Sequence, residues 1–253
     1  MIHQTAVISE TAIISENVEI GAYTVIGKGV VIGEGTKIGS NSYIEFSEIG
    51  RNCKLSNSVS VGTPPQDLGY ENKSTKTIIG DGTVLREFVT VNRGSKTGAT
   101  VVGKNCFFMA CSHAGHDCKV GDNVVMANAS ALGGYVEVGE NAFISALVAV
   151  HQFCRIGRDT MIAGGTVATM DVIPYSMCYG DRAVLSGLNV VGMKRRGMRP
   201  GDIVEVKDSY RVLFMSKLLL SDALSRLENS KSQQVVEIVN FIKNSNRGIV
   251  RPK

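Results

Sequence analysis

The stretch "SHAGHDC", residues 112–118, carries the side chains best suited to chemistry in this sequence. His113 and His116 lie three residues apart, and Asp117 follows the second histidine directly. Such a group could bind a metal, fill a protein interior, or act as a general base whose tautomer is fixed by the carboxylate. The residues alone leave these alternatives open, so the choice depends on the elements that position them.

Length and composition are those of an ordinary globular protein. The 253 residues are 43% apolar and 20% charged, with a net charge of +4, which is too mild to predict a nucleic-acid partner. No apolar run reaches the roughly 18 residues of a membrane span, and the N-terminus lacks a signal-peptide pattern. Six cysteines without a CxxC pair indicate reduced thiols, so we expect a cytoplasmic protein.

An apolar residue recurs at every sixth position over most of the chain. Isoleucine occupies positions 2, 8, 14, 20, 26, 32, 38 and 44, and eleven apolar residues follow at the same spacing from Val102 to Ile162. An α-helix repeats near 3.6 residues and cannot produce this pattern. A period of six instead predicts short flat strands joined at corners, with three strands in each turn of 18 residues.

The repeat divides the chain into two parts. We predict an all-β fold with an α-helical tail: a parallel β-helix over residues 1–190, interrupted by loops at 63–77 and 92–100, and a helical domain over 191–253. In the second part, Asp202 and Ser221 are predicted to cap two helices, and "SQQVVEIVNFIKN" predicts a third.

The 18-residue turn brings distant residues into one column. It places His116 over Gly134 and then Gln152, and it places Asp117 over Tyr135 and then Phe153. Glycine at 133 and 134 leaves room beside the histidine. The spacing therefore predicts one wall of the coil that gathers histidine, aspartate and tyrosine within about three turns.

A metal site fits the repeat poorly. Cys111, His113, His116 and Cys118 are four candidate zinc ligands, but Ala114 occupies an inward position of the coil. Its neighbours therefore alternate between the two sides of a strand and cannot surround one ion tetrahedrally. We predict no metal and no cofactor, and we favour His116 as a general base beside Asp117.

Several motifs then occur together with the repeat: "PPQDLGY", "HAGHDCKVG", "AVHQFCRIG", "GLNVVGMKRRG" and the helical tail. In this combination the whole chain resembles the bacterial UDP-N-acetylglucosamine O-acyltransferases. The resemblance implies a left-handed parallel β-helix and the first step of lipid A biosynthesis. It also implies two substrates, acyl carrier protein bearing a 3-hydroxyacyl chain and UDP-N-acetylglucosamine, and a homotrimer with sites between subunits.

The resemblance also implies roles for individual residues. His116 matches the general base that takes the proton of the glucosamine 3-hydroxyl, Asp117 its acidic neighbour, and Gly134 the backbone N–H facing the oxyanion. Gln66 and Asp67 match residues that meet the sugar from the adjoining subunit. His113 matches a histidine near the acyl chain, and Gly164 a position that sets acyl length. The nucleotide-binding set corresponds to His151, Gln152, Asn189, Arg195 and Arg196.

Two departures from the family pattern concern the acceptor. Tyr135 stands where the family has a second histidine, and Gly69 stands where it has a lysine, unless Lys73 or Lys76 reaches the same place. A phenol still forms hydrogen bonds but is uncharged near neutral pH. A different UDP-sugar therefore remains an alternative acceptor, including a 3-amino analogue whose product would be an amide.

Two further classes of protein, and the assembly into a homotrimer, are tested by other observations. A zinc-dependent hydratase on the same scaffold predicts stoichiometric metal, and a non-catalytic β-helix predicts no turnover. The homotrimer is compatible with a wall of few charges, which contains Phe143, Ala146, Leu147 and Ala149.

Overall fold

The computed structural model describes residues 1–71 and 73–253, and most of this chain winds into a coil with three flat faces. Each turn contributes one short strand to each face, and strands of successive turns pair in parallel. In the regular part the register is 18 residues, as in Ala114 opposite Leu132 and Leu132 opposite Val150. The period of six in the sequence is therefore the spacing of one strand and one corner.

Within the described residues the strands form three sheets. The first sheet contains Val7–Ile8, Val25–Ile26, Tyr43–Ile44, Ser60–Thr63, Thr90–Asn92, His113–Ala114, Ala131–Leu132, Ala149–Val150 and Val167–Ala168. The second contains Ile13–Ile14, Val31–Ile32, Ser47–Ile49, Lys76–Ile79, Ala99–Val102, Lys119–Val120, Glu137–Val138 and Arg155–Ile156. The third contains Glu19–Ile20, Lys37–Ile38, Lys54–Leu55, Val84–Leu85, Phe107–Phe108, Val125–Met126, Phe143–Ile144, Met161–Ile162, Ser176–Tyr179 and, antiparallel at its end, Val184–Leu188.

The inside of the coil is filled by the residues of the repeat. Phe108, Ala114, Met126, Leu132 and Ile144 are fully buried, and each lies on a different strand. Burying a side chain of the size of leucine, isoleucine, methionine or phenylalanine contributes about 1.5–3 kcal/mol, so the stacked column stabilises the coil. The sequence predicted this core because each inward position is separated from the next by one corner.

The three corners of the coil bend through residues with positive φ. Asn123 and Asn141 adopt φ of 57° and 60°, a left-handed conformation that short polar side chains tolerate. We name the corners by the sheets they join. The first corner joins the first sheet to the second at residues 115–118, 133–136 and 151–154; the second joins the second sheet to the third; and the third joins the third sheet to the first.

Two loops leave the coil next to each other. Strands stop at Thr63 and resume at Lys76, and they stop again at Asn92 and resume at Ala99. Arg93, which is buried, fastens the loops together: its guanidinium donates to the Glu45 carboxylate at 2.9 Å and to the Gly62 carbonyl at 2.9 Å. Its Nε also donates to the Tyr70 hydroxyl at 3.1 Å. The loops are thereby held in fixed positions on the coil.

Four helices lie in the described part of the C-terminal segment: α1 (Val190–Arg195), α2 (Pro200–Phe214), α3 (Leu220–Leu227) and α4 (Gln233–Lys243). The helix over "SQQVVEIVNFIKN" is present as α4. The predicted caps are wrong: α2 begins at Pro200 after Arg199, because proline suits the first helical position, and Asp202 pairs with Arg199 at 2.9 Å. α3 begins one residue before Ser221. The prediction also missed α1, which Asn189 caps.

The helices pack against the last turns of the coil. The Tyr175 hydroxyl donates to Glu237 of α4 at 2.6 Å, and the Arg155 guanidinium lies 4.3 Å from the centre of the Phe241 ring. The chain then returns to the coil, where Ile249 pairs with Asp171. None of the helices among residues 1–71 and 73–253 combines the length and apolarity needed to cross a membrane. The division into domains at residues 190 and 191 stays a prediction.

Candidate active site

The predicted column exists at the first corner. The Tyr135 amide donates to the His116 carbonyl at 2.9 Å, and the Phe153 amide donates to the Gly134 carbonyl at 3.0 Å. These bonds link residues 19 apart and keep each turn directly beneath the previous one. His116, Gly134 and Tyr135 therefore meet at one place, as the spacing predicted.

The His116 imidazole lies over Gly134. A Cβ built on Gly134 would stand 2.6 Å from both Cε1 and Nε2 of the imidazole, which is closer than real side chains approach. Glycine at this position leaves the space that the ring occupies, and a side chain here would displace the imidazole. In the part of the chain that the structure describes, the Gly134 N–H donates to no protein group. The residue over which the imidazole lies thus has an amide that is free to donate.

Asp117 fixes the tautomer of His116. The imidazole Nδ1 is 2.8 Å from Oδ2 of Asp117, and the carboxylate side chain is fully buried. An ionised carboxylate only accepts hydrogen bonds, so Nδ1 carries the proton and Nε2 keeps its lone pair. An imidazole in this state can accept a proton at Nε2.

The second loop wraps around the Asp117 carboxylate. The amides of Ser95 and Thr97 donate to its two oxygens at 2.9 and 2.7 Å, the Lys96 amide donates at 3.2 Å, and the Thr97 hydroxyl donates at 2.5 Å. Burial raises the pKa of Asp117, but the hydrogen bonds from Thr97, His116 and the loop amides outweigh it and lower this pKa to about 2. The carboxylate is therefore ionised at any pH at which a histidine base can act.

The low pKa of Asp117 makes a testable contribution to stability. A folded-state pKa below the ordinary 3.8 stabilises the fold above pH 3.8, and this stabilisation is lost as the pH falls through about 2. We expect Asp117→Asn to lower the free energy of unfolding at pH 7 by about 2 kcal/mol. Urea titrations between pH 7 and pH 2 measure the difference. Asp181→Asn, an exposed loop aspartate, is the control, and equal losses in both variants would contradict the prediction.

Two aromatic rings continue the column below Asp117. The Tyr135 ring meets the His116 imidazole edge-on, with centroids 5.2 Å apart, and stacks on Phe153 at 4.6 Å. Burial raises the pKa of Tyr135, and the charges of Asp117 and Asp67 add to this, so its hydroxyl stays protonated. A cavity of about 580 Å³ opens beside these residues, between the first corner and the chain after α4.

The first loop places Asp67 close to the same corner. Its Oδ2 accepts from the Ser95 hydroxyl at 2.7 Å and its Oδ1 from the Gly69 amide at 2.9 Å, while Gln66 is exposed. These contacts are made within one chain. The two lysines considered for the missing family lysine are both paired with acids, Lys73 with Glu71 at 3.2 Å and Lys76 with Glu48 at 2.6 Å.

The remaining predicted residues lie at several places. His113 lies in the first sheet, with Nδ1 2.7 Å from the hydroxyl of Thr90 on the neighbouring strand. Burial lowers the pKa of His113, and the neighbouring His116 adds to the effect. His151 and Gln152 are exposed one turn below Gly134. His151 Nδ1 lies 3.2 Å from Nη2 of Arg247, a residue that the sequence analysis did not identify because 96 residues separate the two.

The other residues predicted to bind substrate lie at different corners. The Asn189 side chain caps α1 by accepting from the Gly192 amide at 2.9 Å, and it donates to the carbonyl of Asp159, at the second corner. Arg195 and Arg196 follow at the end of α1 and are exposed. Gly164 is exposed at the third corner. A single chain therefore does not gather these residues around His116.

The side chains of the four candidate metal ligands lie at different places and do not converge on one point. The Cys118 thiol is buried in the coil and lies 3.1 Å from the Gly133 carbonyl, and burial raises its pKa to about 12. Cys111 is exposed at the third corner. His113 and His116 each have a different partner. Among residues 1–71 and 73–253 no group of three or more histidine, cysteine or acidic side chains is arranged to hold an ion.

Comparison with known proteins agrees with this geometry. A family model described as bacterial transferase hexapeptide (six repeats) matches residues 11–46. A second model, described as UDP-N-acetylglucosamine O-acyltransferase, domain 2, matches residues 171–250. The three-faced coil with a histidine and an aspartate at one corner thus defines a hexapeptide-repeat transferase.

Relatives with similarity over most of the chain specify the family. The acyl-[acyl-carrier-protein]–UDP-N-acetylglucosamine O-acyltransferase of Syntrophobacter fumaroxidans is 46% identical over 81% of this chain and 82% of its own. The enzyme of the same name from Trichlorobacter lovleyi is 48% identical over 79% of each chain. The chain belongs to this family of O-acyltransferases.

Solved structures support the same assignment. The UDP-N-acetylglucosamine acyltransferase of Francisella novicida is 36% identical, covers 99% of this chain and 94% of its own, and superposes with a TM-score of 0.96. The enzyme of Bacteroides fragilis is 38% identical, with coverage of 99% and 100% and a TM-score of 0.96. The fold is the left-handed parallel β-helix with a helical C-terminal part, as the resemblance implied.

Proposed function

We propose that this protein transfers a 3-hydroxyacyl chain from acyl carrier protein to the 3-hydroxyl of the glucosamine in UDP-N-acetylglucosamine, the first step of lipid A biosynthesis. The names of its relatives give the acyl carrier protein and the UDP-sugar. The observation that carries the proposal is the His116 imidazole, oriented by Asp117 and placed over the bare amide of Gly134. The cytoplasmic location expected from the cysteines stays a prediction.

The chemistry follows from the states of these groups. Nε2 of His116 takes the proton of the sugar hydroxyl while its oxygen attacks the thioester carbonyl carbon. The negative charge that forms on the carbonyl oxygen is placed at the Gly134 N–H, a donor of a kind worth about 3 kcal/mol of barrier. The C–S bond then breaks, and the imidazolium returns the proton to the leaving thiolate. The products are an ester and the free thiol of the carrier protein.

A transfer assay tests the proposal. The protein is incubated with UDP-N-acetylglucosamine and a ladder of 3-hydroxyacyl carrier proteins, and the products are identified by mass spectrometry. We expect one monoacylated sugar nucleotide whose acyl group is released by alkaline hydroxylamine, as esters are. Absence of any acylated product would refute the reaction. An alkali-stable product formed only with a 3-amino analogue would instead identify a 3-amino UDP-sugar as the acceptor.

We also propose a homotrimer with its active sites between subunits. The predicted binding residues occupy all three corners, with His116 at the first, Asn189 bound to the second and Gly164 at the third. Neighbouring copies related by a threefold axis could join the corners that one chain keeps apart. Exposed apolar side chains at the corners, Leu147 at 69% and Phe153 at 50%, support burial against another copy.

Leu147 provides a test of this assembly. We expect Leu147→Glu to weaken trimer association by at least about 100-fold, because an unpaired charge buried in an apolar interface costs several kcal/mol. Light scattering coupled to size-exclusion chromatography measures the mass. Leu219→Glu is a matched control, since Leu219 is 72% exposed and lies on the helical part. A trimer that is equally stable in both variants would place the interface elsewhere.

Mixed trimers test whether the sites are shared. His116→Ala and Arg196→Ala subunits are purified, unfolded together and refolded. If His116 and Arg196 of different subunits form one site, each mixed trimer contains about one intact site and activity returns. If both residues act within a single chain, every site in the mixture lacks one of them and no activity returns.

A further inference from the structure

The second loop is organised around the Asp117 carboxylate. Three successive amides, those of Ser95, Lys96 and Thr97, and the Thr97 hydroxyl converge on its two oxygens. Successive backbone N–H groups of this kind form a concave site for an anion. The Asp117 amide itself donates to the Thr100 hydroxyl at 2.8 Å, so the residue is held from both sides. We name residues 95–97 the carboxylate cradle.

The coil does not need this cradle in order to turn the first corner. In the next two turns the equivalent positions are Tyr135 and Phe153, which adopt similar φ angles of 61° and 65° without any carboxylate. A buried carboxylate costs free energy unless its oxygens are fully hydrogen-bonded. The loop therefore stabilises the charge of Asp117, and the same carboxylate also accepts from Nδ1 of the His116 imidazole at 2.8 Å.

We propose that the carboxylate cradle, and the Thr97 hydroxyl in particular, is a positioning element that holds Asp117 ionised and oriented so that His116 keeps its proton on Nδ1 and its lone pair on Nε2. The inference rests on the proposed function of His116 as base. The Thr97 hydroxyl contacts Asp117 and not the His116 imidazole, so it acts on the base through Asp117. Its hydroxyl is the one cradle donor that a side-chain substitution can remove.

The cradle also connects the base to the first loop. The Ser95 hydroxyl donates to Asp67 at 2.7 Å, while the Ser95 amide donates to Asp117. A shift of the cradle would therefore move Asp67 and Asp117 together. Removing only the Thr97 hydroxyl leaves the Ser95 contacts in place, so this change separates the orientation of His116 from the position of the first loop.

Three variants and two measurements test the proposal. Thr97→Val removes the hydroxyl and keeps the shape, Thr97→Ser restores it, and Thr36→Val is a control that removes a buried threonine hydroxyl from a distant corner, where it donates to the Gly50 carbonyl at 2.8 Å. We expect Thr97→Val to lower kcat about tenfold, with the KM for UDP-N-acetylglucosamine changed less than about twofold. Thr97→Ser should recover most of the rate, and Thr36→Val should leave both constants near those of the wild type.

The second measurement reads the tautomer of His116 directly. The chain has four histidines, so ¹⁵N-histidine spectra are simple enough to assign. We expect Nδ1–H for His116 in the wild-type protein and a substantial Nε2–H population in Thr97→Val, reversed in Thr97→Ser. Thr97 is exposed, so these variants should fold, which circular dichroism checks.

The outcomes separate this proposal from the proposed function. An unchanged tautomer in Thr97→Val overturns the cradle's role, and so does a loss of kcat that Thr36→Val matches. If the wild-type protein transfers no acyl chain, the proposed function fails, and the tautomer measurement still decides whether the cradle orients the imidazole. A shifted tautomer together with a selective loss of kcat supports both.

Discussion

His116→Ala is expected to lower kcat/KM for acyl transfer about 1,000-fold. The substitution removes the only group at the first corner that combines a free nitrogen lone pair with a carboxylate partner, and general-base catalysis contributes about 100- to 10,000-fold. The KM for UDP-N-acetylglucosamine should change little, because the proton transfer occurs in the transition state rather than in the bound ground state. Steady-state kinetics with acyl carrier protein as donor measures both.

Two controls accompany this prediction. His3→Gln changes a histidine that is exposed at the other end of the coil and lies 3.0 Å from the Thr5 hydroxyl, so its activity should equal that of the wild type. The melting temperature and the oligomeric mass of His116→Ala should stay close to those of the wild type, since Ala114 and the rest of the core are untouched. If His116→Ala keeps more than about a tenth of the activity, another group is the base.

Gly134→Ala is expected to lower kcat at least about 100-fold. The added methyl group would stand 2.6 Å from Cε1 and Nε2 of His116 and force the imidazole away from its position over the amide. A displacement of about 1 Å in a reacting group can reduce the rate about 100-fold, and the same methyl group would crowd the oxyanion at the Gly134 N–H. Single-turnover kinetics measures the chemical step without product release.

A matched glycine controls for the change in backbone entropy. Gly201, in the first turn of α2, has open space around its would-be Cβ, so Gly201→Ala should leave kcat unchanged. The far end of the imidazole can rotate, so Gly134→Ala should fold normally and show a displaced His116 in a crystal structure. Normal kcat in Gly134→Ala would exclude both the position of the base and the role of the amide.

The geometry of the column could be predicted from the sequence because the coil is periodic. Once 18 residues make one turn, the neighbours of His116 follow by addition, and both Gly134 and Tyr135 were found in this way. The edge-on contact of Tyr135 with the imidazole and its stacking on Phe153 could not be predicted, because they depend on side-chain rotamers rather than on spacing. The short helix α1 was missed although Asn189 carries a usable capping signal.

The residues that donate hydrogen bonds to Asp117 could not be predicted from the repeat. The sequence predicts a loop at 92–100, but a segment with neither a period of six nor a helical period gives no rule for where its amides point. Arg247 contacts the corner from the far end of the chain for the same reason. Contacts of this kind depend on the whole path of the chain, so they appear only in the folded structure.

The sequence by itself determined the coil, its buried column and the meeting of His116 with Gly134, because a fixed spacing converts directly into a fixed stacking of turns. The tertiary structure decided the protonation of the site. Only the folded loop shows the amides of Ser95, Lys96 and Thr97 surrounding the Asp117 carboxylate, and that arrangement holds its charge and leaves Nε2 of His116 free. A buried charge is stabilised by donors close in space, and no regularity of the sequence brings these donors together.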